Sequence, residues 1–137
     1  MQRAILINGQ TLPLRASANF LYYYCRARLR GEAEPDFAAD LKQMADMRTL
    51  EGLSGLDETN ALEMLGQSGL FEFAAIVRRL VWTFAYIANK NLSPFEEWSD
   101  ALADYDMVEA SRVAMELVNE NFFLLLGVRA QAPAANT

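Results

Sequence analysis

The most apolar stretch of the chain is residues 70–89, LFEFAAIVRRLVWTFAYIAN. Its apolar side chains recur at the three- and four-residue spacing of a helix face, and further apolar residues widen that face around most of the helix. The stretch also contains Glu72, Arg78 and Arg79, which would be costly at the centre of a lipid bilayer. The pattern therefore predicts a central helix buried in a protein core, and no transmembrane span.

Arg78 and Arg79 interrupt this apolar pattern. Because they are adjacent on a helix, they cannot both point the same way. We expect one to reach solvent along its apolar stem and the other to meet an acid such as Glu72 or Asp100. A ligand-binding arginine is the less favoured alternative.

Two further helices are predicted after the central one. Residues 93–96, Ser-Pro-Phe-Glu, combine an N-cap, a proline at the first helical position and a capping-box acid. Asp106 and Glu109 repeat the capping pattern before a last helix, which we expect to reach Leu126.

The N-terminus predicts a β-hairpin within residues 1–15. Short β-prone runs flank Asn8-Gly9, a pair that accepts positive φ at both central positions of a tight turn. Pro13 lacks a backbone donor, so it should lie near an edge or a strand end. Because two strands alone are marginally stable, we expect helices to cover the hairpin.

Two helices should lie between the hairpin and the central helix. Ser17 is placed to cap a helix that runs to about Leu29, with Leu21, Cys25 and Leu29 on its buried stripe. Asp36 then begins an amphipathic helix.

These elements predict one mostly α-helical domain over residues 1–128, in which the N-terminal β-hairpin packs on a bundle of about five helices. The 137 residues are enough for one domain and too few for two. Four glycines between residues 49 and 69 are typical of a mobile connector. Residues 129–137 are expected to form a disordered C-terminal tail.

The composition excludes several kinds of chemistry. The chain has no His and one Cys, so the usual zinc and transition-metal ligand sets and every Ser–His or Cys–His nucleophile pair are excluded. The glycines lack the spacing of phosphate- and dinucleotide-binding loops. We therefore predict that the protein is not an enzyme and uses no cofactor or metal.

One acidic cluster is the remaining candidate for acid–base catalysis. It comprises Glu96, Glu97, Asp100 and Asp104, and Glu96 lies one helical turn from Asp100. Acids at the start of a helix also complement its dipole and solvate its outer face. This second interpretation is the favoured one.

Cysteine usage and the N-terminus both indicate a cytoplasmic protein. Cys25 is the only cysteine, so an internal disulfide is impossible, which is typical of a reducing compartment. Residues 1–10 have no apolar core followed by a small-residue cleavage site, so no signal peptide is expected.

Charge is distributed unevenly along the chain. The formal net charge is -6, yet residues 1–30 contain five arginines and no acid, so residues 31–137 must carry -11. This distribution predicts a basic patch on an acidic body. Such a patch can steer an acidic partner or, as we favour, pair internally.

Aromatic and basic residues interleave only at residues 22–30. Three consecutive tyrosines are followed by alternating arginines, a composition that suits a protein-binding hot spot or nucleic-acid stacking. The equally favoured alternative is a set of core tyrosines beside solvated arginines. We take Tyr22, Tyr23, Arg26 and Arg30 as candidate partner-binding residues, and the net negative charge makes nucleic acid the less favoured partner.

The second candidate surface is residues 122–126, FFLLL, which covers every side of the last helical turn. Either the hairpin and the preceding helix enclose it, or part of it is an interface with a second copy or another protein. We favour the interface, take Phe122, Phe123 and Leu126 as candidate contact residues, and expect self-association.

The order of these segments resembles the tail assembly chaperones of long-tailed bacteriophages and prophages. The resemblance covers residues 3–30 and 70–126, and its most specific part is Trp82, Ala85 and the segment 94–98, Pro-Phe-Glu-Glu-Trp. The hairpin supports it, whereas residues 52–69 do not match the family pattern.

The resemblance implies a non-catalytic assembly factor in the host-cell cytoplasm. Such chaperones keep the long, largely helical tape measure protein soluble while tail tube subunits polymerise around it. Many of these families also make a longer, frameshifted product whose extension recruits the tail tube protein. The alternative is a small prophage or bacterial helical adaptor or regulator that binds protein or nucleic acid through residues 22–30.

Overall fold

The computed structural model describes residues 2–47 and 70–126, without the side chains of residues 45–47, 70 and 123–126. This part of the chain is a two-stranded antiparallel hairpin packed against five helices, which confirms the predicted fold class. The elements are β1 (Gln2–Ile7), β2 (Gln10–Arg15), α1 (Phe20–Tyr24), α2 (Phe37–Met47), α3 (Leu70–Ala88), α4 (Phe95–Asp100) and α5 (Met107–Leu126). The connector predicted at residues 49–69 and the tail predicted at residues 129–137 lie outside the described residues.

The hairpin turn follows the prediction. Asn8 and Gly9 have φ values of 52° and 78°, and the strands pair from Ile7 opposite Gln10. In a two-residue hairpin this closing pair is hydrogen-bonded, so the next pairs alternate. Pro13, three positions further, therefore falls at a non-hydrogen-bonded pair, where its missing N–H would have pointed away from β1.

The hairpin turn is tied to the loop between α4 and α5. The Asn8 side-chain Nδ2 donates to the Ala101 carbonyl at 3.0 Å, and its Oδ1 accepts from the N–H groups of Ala103 and Asp104 at 2.8 and 2.9 Å. The Asn8 backbone N–H donates to the Asp104 carbonyl at 2.7 Å. One turn residue thus satisfies several polar groups of a loop more than 90 positions away.

The central helix α3 forms the core, as predicted. It packs against β2, α1, α2, α4 and α5, and its Val77, Leu80 and Phe84 are buried almost completely. Burial of each such apolar side chain contributes about 1.5–3 kcal/mol to folding. α3 is therefore the element against which the others are positioned.

The first helix is much shorter than predicted. α1 ends at Tyr24, and its buried residues are Phe20 and Tyr24, followed by Ala27 in the next turn. Leu21 and Leu29, which were predicted to be buried with Cys25, are exposed. The prediction was wrong by one position around the helix, because the two aromatic rings take the core face.

Two carboxylates help to explain where α1 stops. The N–H of Leu29 donates to the Glu32 carboxylate at 2.7 Å, and the N–H of Arg30 donates to the Glu96 carboxylate at 2.6 Å. These side-chain acceptors replace the carbonyls that would have continued the helix. The Ser17 hydroxyl accepts from the Asn19 N–H at 3.0 Å and does not cap α1, whose N-cap is Asn19.

The predicted capping box at residues 93–96 is also wrong. α4 begins at Phe95 after Pro94, with no side-chain cap bond. The Ser93 carbonyl accepts the indole N–H of the buried Trp82 at 2.9 Å, while Glu96 binds the Arg30 N–H instead of its own helix. Of the two predicted capping groups, the Glu96 carboxylate is therefore taken by a distant loop, and the Ser93 hydroxyl forms no cap bond with α4.

The caps of α2 and α5 follow the prediction. The Asp36 carboxylate accepts the Ala39 N–H at 3.2 Å, and the Asp106 carboxylate accepts those of Val108 and Glu109 at 3.0 and 3.2 Å. Such caps stabilise a helix by about 1 kcal/mol.

Arg79 forms ion pairs, though not with the predicted acids. Its guanidinium lies 3.3 Å from the Asp40 carboxylate on α2 and 3.9 Å from that of Glu32. The Tyr24 hydroxyl donates to the same Asp40 oxygen at 2.6 Å. Burial, followed by the adjacent Asp40 carboxylate, raises the pKa of Tyr24 far above its ordinary value, so the phenol remains a neutral donor.

Arg3 pairs across the fold with the last helix. Its guanidinium lies 3.3 Å from the Glu116 carboxylate and 2.9 Å from that of Glu120. Part of the arginine excess of residues 1–30 is therefore neutralised internally, as the favoured interpretation of the charge distribution predicts.

Candidate protein-binding surface

Tyr22 and Tyr23 lie on the side of α1 that faces away from the core. Tyr22 is 62% exposed and Tyr23 is half-buried, whereas Tyr24 belongs to the core. Tyr22 meets Tyr23 edge-on at 5.3 Å between ring centroids, and Tyr23 meets Tyr86 of α3 in the same way at 5.4 Å. Of the consecutive tyrosines, two are thus available to solvent and one is structural.

The tyrosine rings pack on further aromatic side chains from α3 and α4. Tyr86 stacks on Trp82 at 5.0 Å with an interplanar angle of 13°, and Trp82 meets Phe95 edge-on at 6.0 Å. Phe95 in turn packs beside Trp98. Aromatic pairs of this kind contribute about 0.5–1.5 kcal/mol beyond their burial. The exposed rings are therefore connected, ring by ring, to buried aromatic side chains of the core.

Two cations lie over these rings. The Arg26 guanidinium carbon is 4.8 Å from the Tyr22 ring centroid and 5.6 Å from that of Tyr23. The Lys90 Nζ is 4.9 Å from the Tyr23 centroid and 5.7 Å from that of Tyr86. We call this set, Tyr22, Tyr23, Arg26, Tyr86 and Lys90, the aromatic–cation surface.

Local hydrogen bonds hold both cations in place. Arg26 Nη2 donates to the Tyr22 hydroxyl at 3.0 Å, and Lys90 Nζ donates to the Ile87 carbonyl near the end of α3 at 3.3 Å. Across residues 2–47 and 70–126, neither cation forms an ion pair with a carboxylate. Among the described residues, ring faces are therefore the only groups that balance their charge.

A depression of about 250 Å³ adjoins the aromatic–cation surface. Its lining is polar and apolar in about equal parts and includes both cations. The lining residues are Arg26, Trp82, Tyr86, Lys90, Leu92, Pro94 and Phe95. The depression is large enough for one apolar side chain of a partner.

Arg30 is placed differently from Arg26. Its backbone N–H is bound to Glu96, and its exposed side chain lines a neighbouring open cleft together with Arg28, Glu32 and Glu34. The structure therefore brings Tyr22, Tyr23 and Arg26 together and puts Arg30 at their margin.

Phe122 belongs to a second surface. It is 53% exposed on α5 and lines a small apolar cavity of about 20 Å³ together with Phe20, Phe37 and Leu41. Because Phe20 and Tyr22 are about 200° apart around α1, the two candidate surfaces lie on different sides of that helix. Phe123 and Leu126 are part of α5, but their side chains lie outside the described residues.

Trp82, Tyr86 and Lys90 were missed as members of the site because they follow the pattern of the buried helix. Their spacing of four residues places Trp82 and Tyr86 on one face of α3, and the exposed Lys90 follows in the turn just after the helix ends at Ala88. That spacing was the signal available in the sequence.

Three acids of the predicted cluster, Glu96, Glu97 and Asp100, lie on α4, and Asp104 lies in the loop after it. The Glu96 carboxylate binds the Arg30 N–H, whereas Glu97, Asp100 and Asp104 are exposed. Within the described ranges, no three His, Cys, Asp or Glu residues are grouped so that they could hold a metal ion. No described helix has both the length and the apolar character needed to cross a membrane.

Comparisons of the chain with protein-family models, with curated protein sequences and with solved structures found no match.

Proposed function

We propose that this chain is a tail assembly chaperone of a long-tailed bacteriophage or prophage. It binds the tape measure protein in the host-cell cytoplasm, without catalysis, and keeps it soluble until tail tube subunits assemble around it. An extended, frameshifted form of the chain recruits the tail tube protein.

The aromatic–cation surface is the observation that carries this proposal. The rings, cations and supporting layer of this surface come from residues 22–26 and 82–98, which lie within the ranges that the resemblance covers, and Trp82 and residues 94–98 belong to its most specific part. Tyrosine, tryptophan and arginine dominate the energetically important positions of protein interfaces. A groove with apolar walls and a charged rim is also the form in which proteins hold amphipathic helices.

The apolar surface around Phe122 supports a second contact. Phe122 is large, exposed and continuous with the half-buried Phe37 and Leu41 on α2. We assign this surface to self-association, since it lies away from the aromatic–cation surface and both can be occupied at once.

Co-expression tests the proposal directly. The tape measure protein from the same genome is produced with and without this chain, and its soluble fraction and co-purification are measured. We expect the chain to raise the soluble fraction and to co-purify with the tape measure protein. Insolubility of the tape measure protein in both cultures, with no co-purification, contradicts the proposal.

A pair of matched variants locates the binding surface. Tyr22→Ala should weaken co-purification about tenfold or more, because truncation of an interface hot spot costs roughly 2 kcal/mol. Phe71→Ala is the control, since Phe71 is 63% exposed, almost the same as Tyr22, but lies in the first turn of α3. Equal loss in the two variants contradicts the assignment of the surface.

The genomic neighbourhood provides an independent test. We expect a tail tube gene before the gene for this chain and a very long tape measure gene after it. A neighbourhood without phage structural genes favours the alternative adaptor or regulator.

A further inference from the structure

We infer that the aromatic–cation surface recognises an acidic, amphipathic helical segment of the client, with carboxylates on Arg26 and Lys90 and an apolar side chain in the adjoining depression. This inference rests on the proposed function for the identity of the client, and it adds the chemistry that the client segment must carry.

Arg26 and Lys90 have hydrogen-bond donors that the described part of the chain does not use. An arginine has five N–H donors and a lysine ammonium has three. In the described part of the chain, Arg26 donates one hydrogen bond to the Tyr22 hydroxyl, and Lys90 donates one to the Ile87 carbonyl. The other donors face solvent on exposed residues and can bind an anion.

Arg26 and Lys90 bring two positive charges to the same tyrosine ring. Both cations lie over the Tyr23 ring, although placing them together costs repulsion. Cation–π contacts offset part of this cost, and an incoming carboxylate would remove the rest. Elsewhere, Arg3, Arg79 and Arg112 all pair with carboxylates of the chain itself. Within the described residues, Arg26 and Lys90 form no ion pair, as is also true of cations such as Arg15 and Arg28, but of these unpaired cations only Arg26 and Lys90 lie over aromatic rings.

The depression beside the cations offers apolar contacts as well as charge. Its lining combines Trp82, Leu92, Pro94 and Phe95 with the two charged residues at the rim. A helical segment presents residues three or four positions apart on one face, so it can place an acid and an apolar residue side by side. An acidic amphipathic helix therefore matches both the charge and the shape of the surface.

A nucleic acid fits this surface less well. A phosphate chain that continued from Arg26 into the neighbouring cleft would meet Arg28 and Arg30 there, but also the exposed carboxylates of Glu32 and Glu34. The rings of Tyr22 and Tyr23 also pack edge-on against each other and carry cations on their faces, which leaves less ring surface for base stacking. An isolated carboxylate on a helix meets neither obstacle.

Peptide binding by the full chain tests the inference. Three synthetic amphipathic helical peptides share one Leu/Phe stripe and differ only in carrying Glu, Gln or Lys beside it, and oligothymidylate is the nucleic-acid probe. Binding is measured by fluorescence anisotropy at constant ionic strength. We expect the Glu peptide to bind about tenfold more tightly than the Gln peptide, because two exposed ion pairs are added. The Lys peptide should bind most weakly.

Single charge removals then identify the residues. Arg26→Gln or Lys90→Gln should reduce the preference for Glu over Gln to about threefold. Arg15→Gln removes the same charge from an exposed residue of β2 and should leave the preference unchanged. Circular dichroism checks that each variant is folded, and the wild-type comparison of peptides stands without any variant.

Two results overturn the inference. One is equal affinity of the wild-type chain for the Glu and Gln peptides, and the other is tighter binding of oligothymidylate than of the Glu peptide. A chain that solubilises the tape measure protein but does not prefer the Glu peptide refutes the acidic preference alone. A chain that prefers the Glu peptide but leaves the tape measure protein insoluble refutes the chaperone proposal alone.

Discussion

Removal of the Asp40 carboxylate should destabilise the protein more than any other single surface charge described above. Asp40 accepts the Tyr24 hydroxyl at 2.6 Å and lies 3.3 Å from Arg79, so it joins α2 to both α1 and α3. The side chains of Asp40 and Arg79 are only 14% and 19% exposed, and Tyr24 is almost fully buried. Water therefore cannot fully replace the lost acceptor.

The magnitude follows from the two contacts. A hydrogen bond to a charged group is worth about 1.5–3 kcal/mol, and a buried donor left without an acceptor loses its hydration as well. Asp40→Ala leaves the Tyr24 hydroxyl and one face of the Arg79 guanidinium unsatisfied, so we expect a loss of about 3 kcal/mol in the free energy of unfolding. Asp40→Asn keeps an acceptor and should lose about half as much.

Urea unfolding followed by circular dichroism measures these values in the full chain. Tyr24→Phe removes only the hydroxyl and should lose about 1.5 kcal/mol. Combined with Asp40→Ala, it should show a coupling of about 1.5 kcal/mol, because both changes break the same bond. Asp100→Ala, an exposed acid on α4, is the control and should change stability by less than about 0.5 kcal/mol.

If the effects of Tyr24→Phe and Asp40→Ala were additive, the hydrogen bond between Tyr24 and Asp40 would contribute nothing to stability, which contradicts the prediction. A loss of less than about 1 kcal/mol for Asp40→Ala would have the same meaning.

Four other outcomes can be measured. Because burial and Asp40 raise the pKa of Tyr24 above the 10.0 of a free phenol, the folded chain keeps a proton that the unfolded chain loses. Stability from this source should be constant below about pH 10 and fall by about 1.4 kcal/mol per pH unit above it, and Tyr24→Phe should remove the slope in urea unfolding. In sedimentation, the wild type should contain more than one copy and Phe122→Asp should shift it toward monomer, while Leu6→Asp, at an apolar residue that is even more exposed, should not; a monomeric wild type contradicts self-association. Gly9→Ala should cost about 1 kcal/mol through its φ of +78° alone, since nothing lies within 4 Å of the added Cβ, and a neutral result would show that the turn relaxes. Binding of the tape measure protein should weaken by about tenfold at most as ionic strength rises, because only the two exposed ion pairs at Arg26 and Lys90 are screened, whereas a loss of about a thousandfold or more is typical of nucleic-acid binding.

The elements that sequence predicted correctly are those stabilised by near neighbours. The Asn8-Gly9 turn and the caps at Asp36 and Asp106 depend on residues a few positions away. The central helix α3 is predicted well for a related reason, because its apolar pattern is strong enough to survive any tertiary arrangement.

The wrong predictions concern groups that are claimed by distant segments. The Glu96 carboxylate accepts the Arg30 N–H, 66 positions away, and no side-chain cap bond forms at the start of α4, so the predicted capping box is absent. Arg79 meets Asp40 rather than Glu72 or Asp100 for the same reason. Local pattern cannot rank a neighbour against a partner that tertiary folding brings closer.

The candidate site was predicted in part. The mixture of tyrosine and arginine singled out Tyr22, Tyr23 and Arg26, which do lie together. Tyr86 of α3 and Lys90, in the turn that follows α3, complete the surface. Their contribution depends on how α1 crosses α3, which is set by packing in three dimensions and is not encoded in the periodicity of either helix.

The bonds between the hairpin and the end of the chain set an order of events during synthesis. β1 and the turn depend on Asp104, Glu116 and Glu120 for much of their tertiary contact. The hairpin leaves the ribosome first, and a two-stranded hairpin alone is barely stable in water. The strand β2 can pack on α3 as soon as that helix is made, but β1 and the turn must wait for their contacts until α5 has been translated. β1 should therefore be protected later than β2, and exposure of nascent chains to protease would reveal this delay.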